Sequence, residues 1–563
     1  MSNESIPVPV ETELDALFGQ YTAAGQARGL VYGLVGPEGL LHSAGFGVVN
    51  DAGLVPDENT VFPIASMSKS FVACAALLAR DRSALSLEDP ITKWLPEFSA
   101  AGTAEDPCQP PTVRMLFSMS GGLTEDNSWV DPLIDATEQD LLAQVSRGLR
   151  YSHLPGTAYE YSNLGYTLAG LAVARAVGQP IERFVENEVL APLGLTSTCF
   201  DNAAPADIVR ASGYSLDHQG QWVRFPHVAS GAFAAAGGLM SSVRDLATWV
   251  TWLGSAFRAP NSRHAGPLSR SSRRELQRIH MIETPSITTH ADGGLHFGVS
   301  GYGLGLRISM DLHRGTVVSH AGGLPGFILF MCWHPDSGSG IVVLTNSHRG
   351  EPSTLATEAL GRVLARNSTA AETIVLWPET VELRKSAEQL IRNWDDALAA
   401  RIFAENVDFD RPLKERRAEI EQLVGEIGPL GDPTSVADIV SAATSADVTW
   451  SIPGARGELL CMIHLTPVNP ARIQEFVVQA IPAGRPRSAR PIDISPRRPG
   501  LGEAFLGQMS NVRVLLPPAH GDKHQSVCAE LQAAGTAQPR ERDHRMIMSN
   551  ACPNALYLRH SRR

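Results

Sequence analysis

A hydroxyl and an amine stand three residues apart in Ser66-Met67-Ser68-Lys69. A phenol and an amide stand two apart in Tyr161-Ser162-Asn163, and an imidazole precedes two small residues in His320-Ala321-Gly322. Three residues is close to one helical turn, so Ser66 and Lys69 share one face of a helix and one cavity. A serine hydroxyl is a weak nucleophile until a nearby base takes its proton. A lysine buried among neutral groups and near another cationic centre has reason to lose its proton or pass it along. Ser66 is expected at the start of an alanine- and leucine-rich helix over 68–80. There the positive helix end faces it, and its own N–H can serve as half of an oxyanion hole. Tyr161 is the expected general base for Ser66 and the acid toward the leaving group. Its ordinary pKa of about 10 is too high for that work, so Lys69 and a protonated His320 are the cations expected to lower it. Asn163 carries donor and acceptor on one amide, which suits it to hold Lys69 and the substrate's acyl carbonyl. It is also placed to cap a helix beginning at Leu164.

Other chemistries find less support. Gly298-Val299-Ser300-Gly301-Tyr302 misses the GxSxG elbow by one residue and reads as a turn. His290 and His296 lie six apart in a glycine-containing stretch without HExxH, so no metal is expected. Gly301-Tyr302-Gly303-Leu304-Gly305 lacks dinucleotide-binding spacing, and no cofactor is expected.

The elements that must position these groups follow from periodicity. A helix is expected over 11–26, then a hairpin of strands at 31–35 and 40–49. Further helices are expected over 112–118, over 164–177, and after the serine cap in Ser241-Ser242-Val243-Arg244-Asp245-Leu246. Three consecutive antiparallel strands follow at 316–320, 326–333 and 340–345, with Pro335-Asp336-Ser337-Gly338 as the turn between the last two. A helix over 355–366 closes the region. The expectation is an α/β domain with an antiparallel sheet flanked by helices, and a helical subdomain inserted between the two halves of the sheet.

These motifs and their order resemble the serine β-lactamase and penicillin-binding protein superfamily over residues 11–367, most closely its class C β-lactamase, esterase and D-aminopeptidase branch, the S12-like peptidases. Phe62-Pro63-Ile64-Ala65 before Ser66 and the run Pro155-Gly156-Thr157-Ala158-Tyr159-Glu160-Tyr161-Ser162-Asn163-Leu164-Gly165-Tyr166 carry the resemblance beyond three-letter matches. It implies a serine hydrolase working through an acyl-enzyme. It also implies that the N–H of Gly323 is the second oxyanion donor, that Gly322 admits substrate backbone, and that Trp129, Trp222 and Phe225 line the cleft. His320-Ala321-Gly322 stands where penicillin-recognising members carry Lys-Thr-Gly. Loss of a permanent cation and of a hydroxyl moves the expectation toward esterases and aminopeptidase-like members. A short-peptide or amino-acyl amide is the favoured substrate; a carboxylesterase, an acyltransferase and an inactive scaffold or sensor are the alternatives.

Residues 368–382 read as a linker. A second, small mixed α+β domain over 383–563 opens with the stripe Leu383, Ala387, Leu390, Trp394, Leu398, expected to need an apolar surface to pack on. A charged helix over 412–424 and strands at 448–451, 459–464, 473–480 and 512–516 follow, with apolar pieces at 546–548 and 555–558 and an Arg-rich solvated loop at 485–498.

Two or three domains suit 563 residues. A net charge of -12 argues against a general nucleic-acid binder. No apolar run approaches a membrane span. The start Met1-Ser2-Asn3-Glu4-Ser5 shows no secretory pattern, and seven scattered cysteines without a CxxC pair suit a reducing cytoplasm. Cys74 is expected in the core. The expected partner is the small substrate, not nucleic acid or membrane; the oligomeric state stays open, a homodimer included.

Overall fold

The structure, a computed structural model, describes residues 9–99, 109–201, 209–226, 229–258, 265–289, 295–311, 315–367, 375–431 and 439–484. The features expected at 485–498, 512–516, 546–548 and 555–558, with His290, Cys108, Cys528 and Cys552, lie outside the described residues. The chain forms two compact units, Met1–Thr373 and Ile374–Arg563.

The first unit begins with α1 (Val10–Ala23), then β1 (Gly29–Gly36) and β2 (Gly39–Gly47). A mostly helical segment follows, holding α2 (Ser68–Asp81), α3 (Asn163–Val177) and α4 (Val243–Gly254). The chain then returns to the sheet as β3 (Leu295–Tyr302), β4 (Arg307–Asp311), β5 (Gly315–Leu324), β6 (Phe327–Trp333) and β7 (Gly340–Thr345), and ends in α5 (Pro352–Asn367). The strands line up as β2-β1-β7-β6-β5-β4-β3. The pairings β1–β2, β1–β7 and β3 through β7 are antiparallel, so the helical insertion separates two halves of one sheet.

Strand alternation sorts the core into two layers. Leu30, Tyr32 and Leu34 face α1 and α5, meeting Leu14, Phe18, Ala356 and Leu360. Val31 and Val35 face the other way and join Phe71, Val243 and Trp249 from α2 and α4. The central strand β7 is buried along its whole length, which is why Ile341-Val342-Val343-Leu344 is continuously apolar rather than alternating. Cys74 is fully buried in α2.

Two local expectations are corrected. Gly298-Val299-Ser300-Gly301-Tyr302 is not a turn; it belongs to the end of β3. Pairing outweighs turn propensity here. Gly301 lies so close to the neighbouring chain that a Cβ on it would stand 2.6 Å from the Met281 carbonyl oxygen. The α3 cap is Ser162, whose Oγ accepts from the Gly165 N–H at 3.0 Å; Asn163 is the first helical residue.

In the second unit, α6 (Pro378–Arg392), α7 (Asp396–Ile402) and α8 (Leu413–Ile427) precede the antiparallel sheet β8 (Ile439–Ser441), β9 (Asp447–Gly454), β10 (Gly457–Leu465) and β11 (Ile473–Pro482). The stripe of Leu383, Ala387, Leu390, Trp394 and Leu398 packs on Trp450, Cys461 and Ile463 of this same unit. The apolar surface that the stripe needs is thus supplied within its own unit. Among the described residues, no helix is long and apolar enough to cross a membrane.

Candidate active site

Ser66 sits in a single 3₁₀ turn, Ala65–Met67, that runs straight into α2. Ala65 has φ +48°, the left-handed region that disfavours an L side chain. That strain lies one residue before the hydroxyl, at a turn held by Met67 N–H donating to the Ile64 carbonyl at 3.1 Å. Lys69, the second residue of α2, is fully buried. Its Nζ lies 3.0 Å from Ser66 Oγ, 2.7 Å from Asn163 Oδ1 and 2.7 Å from the Ala236 carbonyl oxygen.

These three partners determine how the amine is arranged. Asn163 Oδ1 and the Ala236 carbonyl only accept, so they take the two protons of a neutral amine. The lone pair then faces Ser66 Oγ, the one partner of the three with a proton to give. Burial lowers the Lys69 pKa to about 7, against a smaller upward pull from Asp126. A pKa of about 7 gives the amine a neutral fraction near neutral pH, and in that form its lone pair can face Ser66 Oγ.

The Asn163 amide is held in that orientation from behind. Its Nδ2 donates to Asp126 Oδ1 at 3.1 Å and to Asn127 Oδ1 at 2.8 Å. A carboxylate accepts only, so the Oδ1 of Asn163 must turn toward Lys69. Asp126 is buried and also accepts from Ser162 Oγ, Asn163 N and Leu164 N at 3.0, 2.8 and 2.8 Å. Its charge thus meets the orphan N–H groups and positive end of α3. Sequence reasoning missed Asp126, because no motif links it to a helix 37 residues later. It also missed the Ala236 carbonyl, carried by the short helix Ala234–Gly237.

Tyr161 is hydrogen-bonded to Ser66, and its ring lies 5.0 Å from Lys69 Nζ. Its pKa is not lowered as expected. Burial pushes the phenol above its ordinary value, and the hydrogen bond to Ser66 offsets only part of this. His320 is likewise not the expected cation. It is buried, and desolvation together with the Lys69 charge pushes its pKa down to about 3. Its Nδ1 lies 2.6 Å from the Ala321 carbonyl, an acceptor, so Nδ1 carries the proton. Nε2 then accepts from the Tyr302 phenol at 2.8 Å. The neutral ring stands 6.5 Å from the Tyr161 ring, with both nitrogens occupied. No His320 limb is therefore expected in a pH profile between pH 5 and pH 9.

A cavity of about 390 Å³ opens beside Ser66 and is also lined by Asn163 and Gly323. Gly322 and Gly323 have different reasons to be glycine. A Cβ at Gly322 would stand 2.4 Å from the backbone oxygen of Ile64, so this residue lets β5 approach the nucleophile turn. A Cβ at Gly323 would meet nothing within 4 Å. Gly322→Ala is accordingly expected to cost about 1–3 kcal/mol of stability, and Gly323→Ala almost none. Paired thermal melts check this; equal Tm values would contradict the close-approach account.

Of the three expected wall residues, Phe225 lines the cavity and the two tryptophans do not. Trp129 is 42% exposed and stands 6.4 Å edge-on from Phe233, a lining residue it backs. Trp222 is corrected in the same way, since its strand, Trp222–Arg224, contributes Arg224 to the wall. Arg210 also lines the cavity, and sequence reasoning singled out neither arginine. Among the described residues, no cluster of His, Cys, Asp and Glu suits a metal ion.

A sequence model described as Beta-lactamase matches residues 14–365. Protein Rv1367c of Mycobacterium tuberculosis (strain ATCC 25618 / H37Rv) is 28% identical over 325 residues, covering 52% of this chain and 79% of its own. Protein flp of Staphylococcus aureus (strain COL) is 26% identical over 290 residues, covering 51% of this chain; the match spans only 53% of that relative's length. The solved structure of the octameric penicillin-binding protein homologue from Pyrococcus abyssi shares the fold. Its TM-score is 0.55 at 19% identity, covering 83% of this chain and 99% of that one. The matched stretch takes in the nucleophile turn, the tyrosine motif and strand β5 together, and by it the chain belongs to the beta-lactamase family.

Proposed function

We propose that the protein is a serine hydrolase of the esterase and D-aminopeptidase branch, cleaving an ester or amide bond of a small substrate through an acyl-enzyme. The observation that carries this reading is the amine of Lys69, held by two pure acceptors with its remaining valence toward Ser66 Oγ.

Lys69, rather than Tyr161, takes the Ser66 proton as the oxygen attacks the carbonyl. The oxygen that becomes negative is received by the N–H groups of Ser66 and Gly323, which share one cavity. The Tyr161 phenol stays protonated at neutral pH and is hydrogen-bonded to Ser66, so it is suited to give its proton to the leaving group and regain one through Lys69. Water then attacks the acyl-enzyme by the same relay. Asn163 and Asp126 position Lys69. The neutral, fully engaged His320 offers no cation to a penicillin carboxylate, which supports esters and simple amides over β-lactams.

The expected preference for short-peptide or amino-acyl amides rests on the second domain restricting the cleft to small chain ends, and both esters and amides are carried into the test. A panel of short-chain p-nitrophenyl esters, L- and D-amino-acid p-nitroanilides and a chromogenic cephalosporin tests the assignment. Turnover of the esters or anilides well above the cephalosporin is expected; a dominant cephalosporinase activity would overturn it. Tyr161→Phe keeps the ring and removes the proton donor. We expect a loss of roughly 10²–10⁴ in turnover, smaller for esters with good leaving groups than for amides. Equal losses on p-nitrophenyl esters and alkyl amides would contradict the leaving-group role.

A further inference from the structure

The cavity beside Ser66 carries charge that the hydrolytic mechanism does not use. Arg210 and Arg224 both line it, as does apolar surface from Phe225, Phe233 and Leu324. The carboxylate of Asp201 also lines it, but accepts from Ser230 N at 2.9 Å and Ser230 Oγ at 3.1 Å.

Arg224 is only lightly held. Its ion pair with Asp51 is 3.7 Å long, with both side chains about 60% exposed (62% and 60%). Such a pair contributes little. Asp51 has other partners as well, with Arg28 at 3.5 Å and the Tyr214 phenol at 2.6 Å. An incoming carboxylate can therefore replace Asp51 at Arg224 without leaving a bare anion behind.

Which half of a substrate enters this cavity follows from the proton donor. In the serine-hydrolase reading, on which this inference rests, the leaving group must face Tyr161. Tyr161 does not line the cavity and Ser66 does, so the cavity takes the acyl half. We infer that the preferred acyl group is a short aliphatic chain ending in a carboxylate, held by Arg224, so that the substrates are monoesters or monoamides of small dicarboxylic acids. Methylenes would lie along the apolar lining, and a planar guanidinium fork would meet the terminal carboxylate. An α-ammonium group on the acyl side would be disfavoured by the same wall.

The test compares mono-p-nitrophenyl glutarate with its neutral isostere, p-nitrophenyl 5-methylhexanoate, on the full chain. A kcat/KM about 10-fold higher for the glutarate is expected, mostly in KM, and shrinking with added salt. Arg224→Gln should remove most of that preference, and Arg224→Glu should invert it. A second arm needs no turnover: calorimetry on the Ser66→Ala variant with glutaranilic acid and with 5-methylhexananilide. Tighter binding of the acid, lost on adding Arg224→Gln, is the expected result. If neither ester is hydrolysed yet the acid binds preferentially, the hydrolase reading falls and the anion site stands. If both esters are hydrolysed equally and both anilides bind equally, the hydrolase reading stands and this inference is overturned. A preference that survives Arg224→Gln overturns the assignment to Arg224.

Discussion

Replacing Lys69 with methionine is expected to slow acylation of Ser66 by roughly 10²–10⁴ and to abolish the dependence of that step on pH. The side chain keeps its length and apolar stem, so the buried slot stays filled. Asn163 Oδ1 and the Ala236 carbonyl lose their shared donor, at about 1–3 kcal/mol each, partly offset because a buried amine no longer has to be desolvated. The variant should therefore fold with a modest change in Tm, to be measured beside the kinetics. In the wild type the base is the neutral amine. With a Lys69 pKa of about 7, the base is protonated below that pH and free above it. Acylation should thus rise with pH through about 7 and level off at higher pH. Lys69→Arg, which keeps a fixed charge, should be as slow as the methionine variant at every pH.

Ser66→Ala carries the second large effect. Turnover should fall by roughly 10⁴ or more, and no covalent adduct should form with a fluorophosphonate probe. The change is small in volume and sits in a short turn rather than in the packed core, so far-ultraviolet circular dichroism and Tm should stay close to wild type. A well-folded Ser66→Ala protein that keeps a substantial part of the wild-type rate would require a different nucleophile. A wild-type protein that never labels at Ser66 would instead favour a catalytically silent relative of the family.

The fold of the first unit was legible because its elements carry strong local signals. The alanine- and leucine-rich text of α2 is buried all round, and the apolar runs of β5, β6 and β7 are separated by turn residues. Where long-range pairing decided, local reading failed: Gly298 to Tyr302 reads as a turn but is held in β3 by its neighbours, one of which approaches Gly301 too closely for a side chain. At the site, Ser66, Lys69 and Asn163 were legible because spacing brought the first two together and the tyrosine motif supplied the third. Charge states were not. Proximity of cations suggested a lowered Tyr161 pKa, whereas burial, invisible in a sequence, dominates and drives Tyr161 up while driving Lys69 and His320 down. Asp126 and the Ala236 carbonyl were missed because their contribution exists only after distant segments meet.

The most direct test of the account is the rate of Ser66 acylation followed by intact-mass spectrometry across pH 5 to pH 9, with the adduct located by peptide mapping. A single adduct on Ser66 is expected, forming along one ascending limb with a midpoint near pH 7 that is absent in Lys69→Met. A limb that persists unchanged in Lys69→Met, or a midpoint near the ordinary tyrosine pKa, would contradict it.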